Sequence, residues 1–124
     1  MNRIVAIMYD FDHTLSDKDM QEYAYIPSIS MNSDEFWAKC RELARANDMD
    51  SILAYMYVMI NEARGKMLFT KDTLLEQGHD IEFYEGVESW FDRINEYGVR
   101  HGLSIEHYII SSGLKKIIEG PREP

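Results

Sequence analysis

Asp10, Asp12 and Thr14 stand within five residues of one another, directly behind the apolar run Ile4 to Tyr9 (IVAIMY). Carboxylates at i and i+2 of a regular strand point to the same face, with the residue between them on the other. If the strand ends at Asp10 and the chain curls into a loop, both acids can turn toward one site. Two acids brought close repel, so one carboxyl pKa is expected to rise unless a cation intervenes. The arrangement suits Mg²⁺, which takes one or two carboxylates together with substrate phosphate oxygens. It also suits a division of labour, one acid as nucleophile and the other as proton donor and acceptor. Acids at a strand end also serve as helix caps and turn residues. A calcium or magnesium sensor fits poorly, because the loop lacks the glycine and distal glutamate of a calcium-binding loop. His13 has no His or Cys partners at zinc-ligand spacing.

These acids need elements to hold them. Six apolar residues rich in β-branched types predict a first strand buried on both faces, as in a parallel sheet. A second apolar run, His107 to Ile110, ends in Ser111, Ser112 and Gly113. Ser-Ser-Gly alone is an ordinary turn. Two strands that both end in small or acidic residues fit an open α/β sheet, which carries its functional groups at the carboxyl ends of its strands.

The sequence between the runs reads as helix. Asn32 can cap a helix over about 33–46, with Glu35 placed for a capping box. A second helix is predicted over about 51–66, weakened at Gly65, and a short one over 71–77, stopped by Gly78. A fourth begins near Gly86, turns Val87, Trp90, Phe91 and Ile94 inward, and ends at Gly98. Tyr55, Met56, Tyr57 and Met59 read as packing residues rather than a cofactor box. The tail from Glu119 to Pro124 is expected to fray.

Composition narrows the function classes. A chain of 124 residues is one domain's worth, and 45% apolar with 28% charged residues is ordinary for a globular protein. The formal net charge of −9 argues against nucleic acid or an anionic membrane as partner. A small anionic substrate is compatible with it, since a bound divalent cation reverses the local field. The single cysteine, Cys40, cannot form an intrachain disulfide and reads as a half-buried thiol. No apolar stretch approaches the ~20 residues of a membrane helix, so the expected location is cytoplasmic.

With these residues in place, "YDFDHTL" resembles the first signature of the haloacid dehalogenase (HAD) superfamily of phosphatases, Asp-x-Asp-x-Thr/Val after the first strand. The resemblance implies that Asp10 is a nucleophile that forms an aspartyl-phosphate and binds Mg²⁺. It implies that Asp12 is the general acid/base and a second metal-site residue through its backbone carbonyl. "YIISSGL" is similar to the second signature and makes Ser111 the phosphoryl-holding hydroxyl. Thr14, Ser112 and Gly113 join it as phosphate-binding residues, at a turn entering a helix whose N-terminus favours an anion.

The fold so implied is an incomplete doubly wound, Rossmann-like core over 1–16 and 84–124, with a helical cap over 17–83. Tyr23, Tyr25, Arg41, Arg45 and Arg64 are candidate cap contacts to a small phosphorylated metabolite. The family's later lysine and acidic pair have no counterpart, since Lys115 and Lys116 do not sit where the family places its own. Two strands also make an incomplete parallel sheet. The expectation is therefore the N-terminal portion of a longer phosphatase. A short protein that completes its sheet by homo-oligomerising, as a non-catalytic binding or assembly module, is the alternative.

Overall fold

A computed structural model describes residues 3–122. It is a mixed α/β structure with a two-stranded parallel sheet and, among the described residues, six α-helices. The order is β1 (Arg3–Tyr9), α1 (Tyr25–Ser28), α2 (Ser33–Ala46), α3 (Ser51–Ala63), α4 (Lys71–Gln77), α5 (Val87–Arg100), β2 (Leu103–Ile109) and α6 (Lys115–Glu119). The chain divides into two compact units. A sheet unit comprises residues up to Asp19 with Glu82–Ser111, and a helical unit comprises Met20–Ile81 with the residues from Ser112 on. None of the described helices is long and apolar enough to cross a membrane.

In the sheet unit, β1 and β2 pair in parallel from Arg3↔Leu103 to Tyr9↔Ile109. Parallel neighbours need a crossover, and α5 lies in it. Gly86 starts this helix from a left-handed conformation (φ 92°), which glycine adopts without strain. Three expectations need correction here. β1 is not buried on both faces, and Ile4 and Met8 are 66% and 64% exposed. The reason is that Ile4 and Met8 lie on the face opposite the one where α5 meets Ile105 and Tyr9. β2 starts at Leu103, four residues before the apolar run, because Leu103 to Glu106 alternates in the manner of a strand with one covered face.

Gly98 does not end α5, the third correction. The helix runs on to Arg100, and Gly98 is buried where a Cβ would come within 2.6 Å of Ile105. This glycine therefore serves helix-on-strand packing, and the stop comes at Gly102 with φ 71°.

The helical unit is built around Tyr25, Ile26, Ile29, Phe36, Cys40, Tyr55, Val58 and Met59. Each such side chain contributes about 1.5–3 kcal/mol on leaving water. Tyr25 and Phe36 meet edge to face at 5.9 Å. The Asn32 cap forms as expected: its Oδ1 accepts from the Glu35 backbone N–H (2.9 Å). The Glu35 side chain returns to the Asn32 amide group rather than to its backbone. Asp50 caps α3 through the N–H of Ile52 (2.8 Å), and Thr70 caps α4 through that of Thr73 (3.2 Å). α3 ends at Ala63, short of Lys66, and a turn with Gly65 at φ 75° follows.

Gly78 ends α4 after Gln77, as expected, and does more. It leads into a 3₁₀ turn over Gly78–Asp80 and packs against Gly120 so closely that a Cβ on Gly78 would fall 2.1 Å from the Ile117 carbonyl. That contact holds α6 and the 3₁₀ turn Gly120–Arg122 against α4, where fraying was expected from Glu119 onward. The last two residues of the tail lie outside the described range.

A candidate site at the carboxyl ends of the paired strands

The ends of β1 and β2 are zipped together by the Ile110 N–H donating to the Tyr9 carbonyl (2.8 Å). Register places Tyr9 opposite Ile109, so Asp10 and Ser111 leave the sheet at the same end. Phe11 then turns inward. It is 1% exposed and packs edge to face on Phe83 at 6.2 Å. Its flanking residues turn the other way, with Asp10 exposed and Asp12 half-buried. Burial of the phenyl ring between them thus leaves both acids on the opposite side of the chain, as alternation of i and i+2 about i+1 dictates.

The loop is tight because one carbonyl organises it. The Phe11 C=O accepts from the N–H groups of Thr14 (3.2 Å), Leu15 (2.9 Å) and Ser16 (3.1 Å). His13 supplies the reversal in a left-handed conformation (φ 60°), its Nε2 3.3 Å from an Asp19 carboxylate oxygen. Ser16 is fully buried and donates its hydroxyl to the Lys18 carbonyl (2.7 Å). Beyond it the chain pairs with the returning segment, Asp17 N–H to Glu82 C=O (3.1 Å) and Tyr84 N–H to Leu15 C=O (3.0 Å). Asp10 Oδ1 accepts the Phe11 N–H at 2.9 Å, which orients the carboxylate at the strand end. Thr14 is exposed on the same loop.

Asp10, Asp12, Thr14 and Ser111 all belong to the sheet unit, whereas Ser112 and Gly113 fall in the helical unit. There the Ser112 carbonyl accepts from the Tyr55 hydroxyl (2.6 Å). The helix expected to present an N-terminus to an anion needs correction. α6 has only five residues, starts at Lys115, and the preceding Leu114 N–H lies 3.2 Å from Met20 Sδ. One turn sums few peptide dipoles. Lys115 and Lys116 pair with Glu119 on the same helix, at 3.8 and 3.0 Å.

Tyr25 is corrected as a cap contact. It is fully buried, its hydroxyl donates to the Met59 carbonyl (2.5 Å), and burial raises its pKa. Arg41, Arg45 and Arg64 are exposed, and Tyr23 is half-buried.

A hydrogen-bond chain behind the strand end was not foreseen. The Trp90 indole N–H donates to the Tyr9 hydroxyl (2.8 Å). That hydroxyl lies 2.8 Å from His107 Nδ1, and His107 Nε2 lies 2.7 Å from Asn95 Oδ1. The signal in sequence was a tyrosine and a histidine at the inward positions of the two strands, which are otherwise apolar there.

Comparison with known proteins gives little to set beside this geometry. No family model matches the chain, and no solved structure matches it. The chain is 28% identical over 130 aligned residues to an uncharacterized protein of Borreliella burgdorferi. The match takes in 96% of this chain but 45% of that protein, so the chain spans less than half the length of this relative.

Proposed function

We propose that the sheet unit is the first part of a HAD-type core and that its chemistry is phosphoryl transfer from a small phosphomonoester to water. The observation that carries this reading is the inward turn of Phe11, which leaves Asp10 and Asp12 at the carboxyl end of a parallel strand beside the strand leading to Ser111. A carboxylate oxygen of Asp10 attacks phosphorus while the ester P–O bond breaks and Asp12 gives its proton to the leaving oxygen. Asp12, now ionised, takes a proton from water as that water attacks phosphorus, which releases phosphate and restores Asp10. Ser111 hydrogen-bonds the phosphoryl oxygens, and Thr14 supports the loop beside it.

The donors are all oxygen, which suits Mg²⁺, with Asp10 and Asp12 as the residues that would hold it. The ion supplies charge neutralisation at the phosphoryl oxygens. The helical unit has the part of the cap that selects substrate.

The test is hydrolysis of an activated aryl phosphate with Mg²⁺ by the wild-type chain beside Asp10→Asn. Slow, Mg²⁺-dependent turnover is expected, slow because neither Lys115 nor Lys116 serves as the family's charge-neutralising lysine. Asp10→Asn should fall to the buffer rate. Equal rates for the two proteins would overturn the proposal.

A further inference from the structure

α3 is apolar on nearly every side, yet only one side of it is covered. Ala54, Tyr55, Val58, Met59 and Ala63 are buried in the helical unit. On the opposite side Leu53, Tyr57 and Ile60 stand 58%, 55% and 48% exposed. A helix with apolar residues all round is ordinarily enclosed by other elements. Three large apolar side chains in one exposed row mark an interaction surface rather than scattered exposure. Their spacing says what kind. Asp50, Leu53, Tyr57, Ile60 and Arg64 succeed one another at intervals of three and four, the repeat by which helices pack lengthwise on helices. Met56 and Asn61, which flank the row, are uncharged.

The ends of the row decide what covers it. It opens on acids, Asp48 and the N-cap Asp50, and closes on Arg64 at the C-cap. Among the described residues neither Asp48 nor Arg64 is in an ion pair. Asp50 and Arg64 lie equally far from Tyr57, seven residues before it and seven after. A second α3 laid antiparallel about a two-fold axis at Tyr57 therefore brings each Arg64 to the Asp50 of the other copy. Opposite helix ends then lie side by side, which also favours their dipoles. A parallel pair would set acid against acid and Arg64 against Arg64. We propose that this row is a homodimer interface, through which two copies of the chain pack antiparallel on Leu53, Tyr57 and Ile60. A two-fold interface must be complementary to itself, and the order of charges along α3 meets that condition. The net charge of −9 on each copy opposes association, but physiological salt screens it beyond about 8 Å. Three large apolar side chains per copy make a small interface, so association in the micromolar range is expected. The proposal is independent of the phosphatase reading.

Sedimentation equilibrium of the full chain at physiological salt, from micromolar to millimolar concentration, should show a reversible monomer–dimer equilibrium. Tyr57→Lys sets like charges at the axis and should weaken the dimer at least ~30-fold, the size of an interface hot spot. Arg64→Glu sets acid against acid at both ends and should weaken it severalfold. Tyr57 and Arg64 are both exposed, so both variants should keep the far-ultraviolet circular dichroism of the wild type. Ile4→Lys with Met8→Lys, on the exposed face of β1, should leave the dimer unchanged. A monomer throughout the range would overturn the proposal, as would a dimer indifferent to Tyr57→Lys. A dimer that Arg64→Glu leaves intact or tightens would overturn the antiparallel pairing. Dispersal by the β1 double substitution would overturn the proposal too, placing the interface on the strand.

Discussion

Tyr9 and His107, 98 positions apart in the chain, meet hydroxyl to imidazole at 2.8 Å and join the last residue of β1 to the middle of β2. The direction of this bond is fixed by its neighbours. An indole N–H can only donate and an amide oxygen can only accept. The Tyr9 oxygen therefore accepts from Trp90, and in the tautomer with its proton on Nε2 toward Asn95 the His107 ring accepts the Tyr9 proton at Nδ1. His107 then carries its proton on Nε2 and donates it to Asn95 Oδ1 at 2.7 Å. The chain runs Trp90, Tyr9, His107, Asn95, and its second member, Tyr9, directly precedes Asp10.

Tyr9→Phe breaks this chain in the middle while keeping the ring that packs on Phe91 at 5.6 Å. It leaves the Trp90 N–H without its acceptor and His107 Nδ1 without its donor. Loss of about 1–3 kcal/mol from the sheet unit is expected. Urea unfolding followed by Trp90 fluorescence, in a Trp37→Phe background, measures it. A change below about 0.5 kcal/mol would count against the network as a stabilising element.

Gly120→Ala tests the seating of α6. The new Cβ would fall 2.5 Å from the Gly78 α-carbon and 2.5 Å from the Leu75 carbonyl oxygen. Both are backbone atoms, which cannot rotate away, so the close approach must open. A loss of about 3 kcal/mol or more is expected, with earlier thermal melting of the helical unit. Gly65→Ala is the useful contrast, because nothing lies within 4 Å of its Cβ. Only its left-handed backbone (φ 75°) is strained, at about 1–2 kcal/mol.

Cys40 gives a pH dependence with a definite sign. The thiol is 5% exposed, and burial pushes its pKa up to about 11, outweighing the nearby Arg41. A thiol whose pKa is raised on folding leaves stability intact below the unfolded value. As pH rises from the ordinary thiol range toward about 11, the unfolded chain ionises first and stability is lost. The wild type should therefore lose up to about 3 kcal/mol relative to Cys40→Ala across that window. Denaturation of both proteins at about pH 8 and about pH 11 measures it. Parallel decline of the two would show that the buried thiol has no such role. Tyr25, raised in the same direction by burial, adds a loss common to both.

Local sequence was a good guide wherever a cap or a periodic face decides the outcome. α2 occupies the stretch from Ser33 to Ala46 because Asn32 satisfies the Glu35 N–H and Phe36 and Cys40 share a buried stripe. α4 is set in the same way by Thr70. The glycines were read less well. Gly78 stops α4 as read but also packs against the distant Ile117 and Gly120, whereas Gly98 looked like a stop and instead packs on Ile105 of the next strand. A glycine chosen for a missing side chain and one chosen for a left-handed backbone are the same letter.

The sequence by itself determined the acids, their spacing and the apolar strand that ends at them, because strand propensity and motif are local properties. It could not determine what anchors the loop that carries the two carboxylates. That was decided by Phe11 finding Phe83, a contact that exists only once the chain has returned from the helical unit, together with three local N–H groups converging on the Phe11 carbonyl. Nor could it decide the burial of β1. An apolar run states what a strand requires, and only the tertiary structure shows that α5 lies on the face of Tyr9 and Ile105, leaving Ile4 and Met8 open on the other.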